Sequence, residues 1–192
     1  MQTETIAILG WGSLLWDSAP DFQAQIGGWS MDGPELPLEF SRVSKSRSGA
    51  LTLVIDTANG QMCKSAFALS RRTSVEEAVS DLQSREGTTS ANIGYYIAQD
   101  KSYRTTNPSV LVDIDAWLSL ASISAVVWTD LRPNFLKQVQ TEFSVQAALA
   151  YLLALPPEGK ARSREYLSRA PNFVNTPLRT AIAGHPALQS GA

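Results

Sequence analysis

The sequence predicts an α+β fold, a small mixed β-barrel of about six or seven strands with flanking helices and a C-terminal helical segment. Short apolar segments separated by turn signals fill most of the first two thirds of the chain, and one amphipathic helix interrupts them. In the last third of the chain, apolar residues recur at the spacing of a helix. Because 192 residues suit one domain, we expect a single domain over residues 1–192, with a core in residues 5–130 and a helical extension in residues 131–187.

The predicted strands are short apolar segments bounded by turn residues. The first runs from Ile6 to Leu9, and the others span residues 36–44, 50–56, 63–69, 94–98, 110–114 and 123–129. The pairs Ser48-Gly49 and Asn59-Gly60 are turn signals, so the second, third and fourth strands are expected to form antiparallel hairpins.

The clearest predicted helix covers residues 73–86. Ser74 and Glu77 make a capping box at its start, and Gly87 is a natural C-terminal cap. Further helices are predicted at residues 116–120, 144–155 and 158–169, and from Thr176-Pro177 onward.

Composition and charge exclude several classes of function. The chain carries 16 Lys and Arg against 18 Asp and Glu, and no basic face appears, which argues against nucleic acid as a partner. No apolar run approaches the roughly 20 residues of a membrane-spanning helix, so no membrane partner is expected. Since the N-terminus also lacks a basic flank, we expect a cytoplasmic protein. No cluster has the spacing of metal ligands, so no metal is expected either. The oligomeric state stays open.

A glycine-containing loop, Gly10-Trp11-Gly12-Ser13-Leu14, follows the first strand. Its two glycines allow a sharp bend and a close approach to a ligand, and successive N–H groups in such a turn can hold an anion or an oxyanion. The loop lacks the third glycine of a dinucleotide-binding motif and the glycine that follows the serine in a nucleophile elbow. A purely architectural turn is the alternative.

Glu86 is the unusual residue of the predicted helix. It lies four residues after Leu82 and eleven after Val75, so at about 100° per residue it returns to the apolar face. The negative end of the helix dipole and an apolar surround both disfavour ionisation of a carboxyl group there, which suits proton transfer near neutral pH. The alternative is a terminal residue that reaches solvent or pairs with an arginine such as Arg85.

Several of these features occur in the order of a known family. They are the Gly12-Ser13-Leu14 loop, the segment from Phe40 to Gly49 with its arginines and serines, the apolar residues 51–54, the strand at residues 66–69 and the helix-ending segment Leu82-Gln83-Ser84-Arg85-Glu86. In this order the chain resembles the γ-glutamylcyclotransferase family, most closely its ChaC-like branch, over residues 5–130.

The resemblance implies a fold, a reaction and a set of site residues. The fold is γ-glutamylcyclotransferase-like, and the reaction converts a γ-glutamyl peptide, glutathione or a γ-glutamylamine to 5-oxoproline and the free amine, without a cofactor. Glu86 is the implied catalytic acid/base. The implied substrate-binding residues are Trp11, Gly12, Ser13, Leu14, Arg42 and Arg47.

The chain departs from the family pattern in two places. Trp11 stands where the family usually has tyrosine, and Gly87-Thr88-Thr89 follows Glu86 where the branch tends to have Gly-Gly-Tyr. These departures leave a second hypothesis, a non-catalytic module on the same fold that binds a small anion or metabolite. The sequence does not choose among γ-glutamyl substrates.

Overall fold

A computed structural model describes residues 5–17 and 19–188, and it confirms the α+β class. The strands are β1 (Ile6–Gly10), β2 (Glu35–Val43), β3 (Leu51–Ile55), β4 (Gln61–Lys64), β5 (Ala66–Leu69), β6 (Ile93–Ile97), β7 (Tyr103–Arg104) and β8 (Ala125–Thr129). The α-helices are α1 (Pro20–Gln23), α2 (Val75–Glu86), α3 (Leu111–Ala121), α4 (Phe135–Val139), α5 (Val145–Ala154), α6 (Pro157–Arg169) and α7 (Pro177–Ile182). None of the helices in these two ranges has the length and apolarity needed to span a bilayer.

The elements form two compact units. The first unit comprises the residues up to Leu36 together with Lys64–Leu131, and the second comprises Pro37–Cys63 together with the residues from Arg132 onward. The described strands form one sheet of five and one sheet of three, and no closed barrel is found among them. The barrel and the single domain therefore stay predictions.

The five-stranded sheet belongs to the first unit and has the order β5-β1-β8-β6-β7. β1 is an inner strand that runs antiparallel to β5 and parallel to β8, with Ile8 opposite Ala68 and Val127. All residues of β1 are buried. The loop that follows Gly10 therefore starts from the interior of the sheet.

α2 packs on this sheet and forms where the capping box predicted it. The Ser74 side chain accepts a hydrogen bond from the Glu77 N–H, and Gly87 ends the helix with φ of 58°. The buried face of the helix consists of Val75, Ala78, Val79 and Leu82, which share one core with Ile6, Ile8, Ile93, Ala125 and Val127. Burial of each large aliphatic side chain stabilises the fold by about 1.5–3 kcal/mol, so the position of α2 is strongly determined.

The second unit contains the predicted C-terminal helices α5, α6 and α7. Ser144 and Thr176 cap α5 and α7 by accepting hydrogen bonds from the N–H groups of Ala147 and Arg179. The three-stranded sheet has the order β3-β2-β4. β2 and β3 pair antiparallel, as predicted. β3 and β4 are not neighbours, so the hairpin predicted at Asn59-Gly60 is wrong.

The prediction of a strand at residues 110–114 is wrong, because this segment enters α3. Val110, Ile114 and Leu118 are buried at intervals of four residues, whereas Val112 is 75% exposed. This spacing is the helical period, and so short an apolar segment does not distinguish it from a buried strand.

The single strand predicted at residues 63–69 is also wrong, because Ser65 divides it into β4 and β5. The Ser65 N–H and hydroxyl both donate to the carbonyl of Pro34, at 3.1 and 2.7 Å. Its polar groups are thus satisfied outside either ladder, and β4 and β5 belong to different sheets.

Gly94 of β6 provides a test of the packing of the first unit. A Cβ at this position would lie 2.4 Å from Cε2 of Trp128, which is fully buried. We expect Gly94→Ala to lower the free energy of unfolding by about 2–3 kcal/mol, because the indole must shift within a close-packed core. Urea unfolding followed by tryptophan fluorescence measures this change. Gly28→Ala is the control, since a Cβ there meets nothing within 4 Å, and an equal loss in both variants would contradict the packing argument.

Candidate functional site

The loop after β1 leaves successive backbone amides unengaged. Residues Ser13–Leu15 form one turn of 3-10 helix, in which the Leu15 N–H donates to the Gly12 carbonyl at 3.0 Å. Within residues 5–17 and 19–188, the N–H groups of Gly12, Ser13 and Leu14 donate to no protein acceptor. Gly12 is buried, whereas Ser13 and Leu14 are half-buried, so a ligand oxygen that binds these amides would meet them at a partly covered turn.

Close packing, rather than a left-handed backbone, accounts for the first glycine of the loop. A Cβ at Gly10 would lie 2.9 Å from Cδ2 of Leu15 and 3.0 Å from the ring of Trp29. Gly12 has φ of −129°, which other residues also adopt. The loop thus depends on Gly10 for the approach of two side chains.

The last turn of α2 carries Glu86 toward this loop. The side chain of Glu86 is 18% exposed and that of Arg85 is 13% exposed. Leu82, one turn earlier, is fully buried. Glu86 therefore lies largely shielded on the side of the helix that its spacing indicates, and its side chain is not completely buried.

The guanidinium of Arg85 joins the helix end to the loop. Its Nη2 donates to the carbonyl oxygens of Ser13 and Asp17, both at 3.4 Å, and its Nη1 lies 3.7 Å from Oε1 of Glu86. The Arg85 Nε is buried and has no hydrogen-bond partner in the described part of the chain. Glu86 and the Ser13 carbonyl are thus within reach of the same cation.

Arg85 links two segments that each carry a group that acyl transfer requires, and its contacts with the loop are to the carbonyl oxygens of Ser13 and Asp17 rather than to the amides. A shielded carboxylate can take up and return a proton, and a row of unengaged amides can hold a developing oxyanion. The sequence pattern indicated both groups. It did not indicate that Arg85 holds the loop, because that contact depends on where the loop lies after folding.

The two other predicted arginines lie in the second unit, where they have partners. The Arg42 Nη1 donates to the carbonyl of Arg132 at 2.6 Å, and burial lowers the pKa of Arg42. The guanidinium of Arg47 lies over the ring of Tyr166, 5.2 Å from its centroid. Trp11, in the first unit, is 5% exposed. Substrate contacts by Arg42, Arg47 and Trp11 stay predictions.

Glu39 is a buried carboxyl group that sequence reasoning missed. It is fully buried on β2, and it accepts hydrogen bonds from the N–H groups of Phe40 at 2.7 Å and Leu178 at 3.3 Å. Burial raises the pKa of Glu39, while the hydrogen bonds from Thr176, Phe40 and Leu178 partly oppose the rise. The sequence gives no signal for this burial, because the face of β2 that carries Glu39 is covered where the Leu178 N–H at the start of α7 donates to it.

The raised pKa of Glu39 predicts a loss of stability as the pH rises. Because the folded state holds this proton more tightly than the unfolded chain, its contribution is fully present below the unfolded pKa and is lost as pH rises through the folded pKa. We expect Glu39→Gln to remove this slope. Urea unfolding of wild type and variant from about pH 4 to pH 8 measures the difference, since an unperturbed glutamate titrates near the lower limit. Parallel stability curves would contradict the assignment.

A scan against models of protein families finds no match to this chain, and a search of curated proteins finds no match. Among residues 5–17 and 19–188, no group of three or more His, Cys, Asp or Glu side chains is placed to hold a metal ion.

Proposed function

We propose that the chain is a γ-glutamylcyclotransferase-like lyase, which converts a γ-glutamyl compound to 5-oxoproline and releases the amine. The observation that carries the proposal is the junction at Arg85, where the Glu86 carboxylate and the loop from Gly12 to Leu14 meet at one guanidinium. The γ-glutamylcyclotransferase-like fold, its barrel and a cytoplasmic location belong to the same proposal. The α+β class and the inner position of β1 support the fold.

In the proposed reaction, the free α-amine of the γ-glutamyl group attacks its own γ-carbonyl carbon. Glu86 first takes a proton from the ammonium, so that the nitrogen lone pair can form the new C–N bond. The carbonyl oxygen becomes an oxyanion, which the amides of Gly12, Ser13 and Leu14 stabilise. As the oxyanion collapses, the original C–N bond breaks and Glu86 gives its proton to the leaving nitrogen. The ring nitrogen carries two protons after the attack, and it passes one of them to Glu86, so that a neutral lactam forms. Glu86 hands this second proton to the released amine and returns to its carboxylate form. The step needs no oxidant, reductant or external nucleophile.

Arg85 has a positioning role in this scheme. Its contacts with the carbonyl oxygens of Ser13 and Asp17 hold the loop at the end of α2. Folding has therefore already placed the loop close to the base, and this entropy cost does not have to be met again in each reaction cycle.

The alternative is the non-catalytic module that binds a small anion or metabolite. Trp11, which is buried, stands where the family that the chain resembles usually has tyrosine. Tryptophan supplies no hydroxyl at that position, and this favours the alternative. The same unengaged amides would then bind an anion without turnover.

The test is a panel of γ-glutamyl compounds incubated with the purified protein, with free 5-oxoproline measured by mass spectrometry. The panel contains glutathione, γ-glutamyl-alanine and γ-glutamyl-ethylamine, and α-glutamyl-alanine serves as the matched control, since its amine cannot reach the scissile carbonyl in a five-membered ring. We expect release from at least one γ-linked compound and none from the α-linked control. Thermal stabilisation by these compounds without any product would favour the binding module. If the compounds gave no stabilisation and no product, both the enzyme hypothesis and the binding-module hypothesis would be overturned.

A further inference from the structure

A second candidate site lies in the first unit, in a cleft between α1 and α2. The cleft has a volume of about 440 Å³, and its walls include Asp21, Phe22, Gln25, Arg72, Asp81 and Arg85. This volume falls within the range of small-molecule sites, about 300–1,000 Å³. The proposed reaction uses none of these residues except Arg85.

The arginine that lines the cleft from the α2 side is held rigidly. Arg72 and Asp81 form a bidentate pair, with Nε to Oδ2 at 2.7 Å and Nη2 to Oδ1 at 2.9 Å. The Nη1 of Arg72 has no acceptor among the residues that the structure describes. A bidentate pair fixes the plane of the guanidinium, so the free Nη1 is preorganised to bind a ligand oxygen.

The opposite charge comes from α1. Asp21 is exposed, and it has no ion pair or side-chain hydrogen bond with the rest of the described chain. Gln25 adds a neutral amide, and the ring of Phe22, which is 6% exposed, adds an apolar surface. An unpaired carboxylate beside this surface is available to a ligand ammonium.

The lining carries two guanidinium groups, Arg72 and Arg85, and two carboxylates, Asp21 and Asp81. Glu77 and Glu86 act on Arg72 and Arg85 from outside the lining. A simple anion would meet two carboxylates, and a simple cation would meet two guanidinium groups. A ligand that carries both charges matches both sides of the cleft. We propose that this cleft binds a small zwitterion, an α-amino acid or a dipeptide, with its carboxylate on Arg72 and its ammonium on Asp21. Neither ligand-binding residue, Arg72 or Asp21, takes part in the proposed reaction, so the proposal is tested by binding alone.

The experiment compares L-alanine with two analogues that each lack one charge. Propionate lacks the ammonium and ethylamine lacks the carboxylate, while L-alanyl-L-alanine distinguishes a dipeptide from a free amino acid. Titrations of the ¹⁵N-labelled full chain by NMR give both affinity and location. We expect saturable shifts at α1 and α2, with at least one zwitterion bound about 10-fold more tightly than either analogue, which corresponds to about 1.4 kcal/mol.

Two variants test whether Asp21 and Arg72 bind the charged groups of the ligand. Asp21→Asn and Arg72→Gln are each expected to weaken zwitterion binding about 10-fold or more, whereas Asp113→Asn, an exposed aspartate of α3 outside the cleft, is the matched control. If Arg72→Gln does not fold, the affinity of Asp21→Asn still tests the proposal, because Asp21 is exposed. Equal affinity for propionate or ethylamine would overturn the proposal, as would an unchanged affinity in Asp21→Asn, or no shifts with either zwitterion up to about 10 mM.

Discussion

Replacement of Glu86 by glutamine is expected to lower kcat for 5-oxoproline release by about 100-fold or more, the usual scale for the loss of a general acid/base. Glutamine keeps the size of the side chain and one carbonyl oxygen, but it cannot take the proton from the substrate ammonium. It also cannot return a proton to the leaving amine. Because the loop amides are untouched, KM is expected to change much less than kcat.

The variant should fold normally. Glutamine keeps the length of the side chain and one carbonyl oxygen, and the Nη1 of Arg85 lies as far as 3.7 Å from Oε1 of Glu86, so the melting temperature should stay close to that of the wild type. Glu76→Gln is the matched control, since Glu76 is an exposed residue in the first turn of the same helix. A folded Glu86→Gln enzyme that keeps the kcat of the wild type would remove Glu86 from the mechanism, even if the γ-glutamyl reaction itself is observed.

The elements that sequence reasoning predicted well are those with local signals. The capping box at Ser74 and the glycine at Gly87 fixed both ends of α2, because caps act on neighbouring backbone groups. Elements without such signals were missed. β7, with Tyr103 and Arg104, forms only because β6 lies beside it, with Tyr95 opposite Arg104.

The candidate site shows the same division between local and tertiary information. Helical spacing was enough to select Glu86, since position on a helix face is a property of the local sequence. The contact from Arg85 to the Ser13 carbonyl joins residues far apart in the chain. Arg72 and Asp21 carried no signal for the same reason, because the cleft exists only where α1 and α2 meet.

Replacement of Asp130 by alanine is expected to lower the free energy of unfolding by about 3–4 kcal/mol. Asp130 is 1% exposed, and no Lys or Arg of the described chain pairs with it. Its Oδ2 accepts from the Thr105 hydroxyl at 3.1 Å and from the Thr106 N–H, and its Oδ1 accepts from Asn107 Nδ2 at 3.2 Å and Trp128 Nε1 at 3.3 Å. The cost is large because alanine leaves these donors without an acceptor.

The melting temperature should fall by roughly 10 °C for a chain of this size, and urea unfolding should give a matching loss in the free energy of unfolding. Asp130→Asn keeps the shape of the side chain but removes its charge. The single carbonyl oxygen of asparagine can accept from the donors on one side, while its amide group faces the donors on the other side. We therefore expect a smaller loss of stability than in Asp130→Ala. Asp113→Ala, on the exposed face of α3, should change stability by no more than about 0.5 kcal/mol. Equal free energies of unfolding in Asp130→Ala and Asp113→Ala would contradict this prediction. Ordered water would then satisfy the donors, and the Asp130 carboxylate would not be the group that holds residues 105–107 against β8.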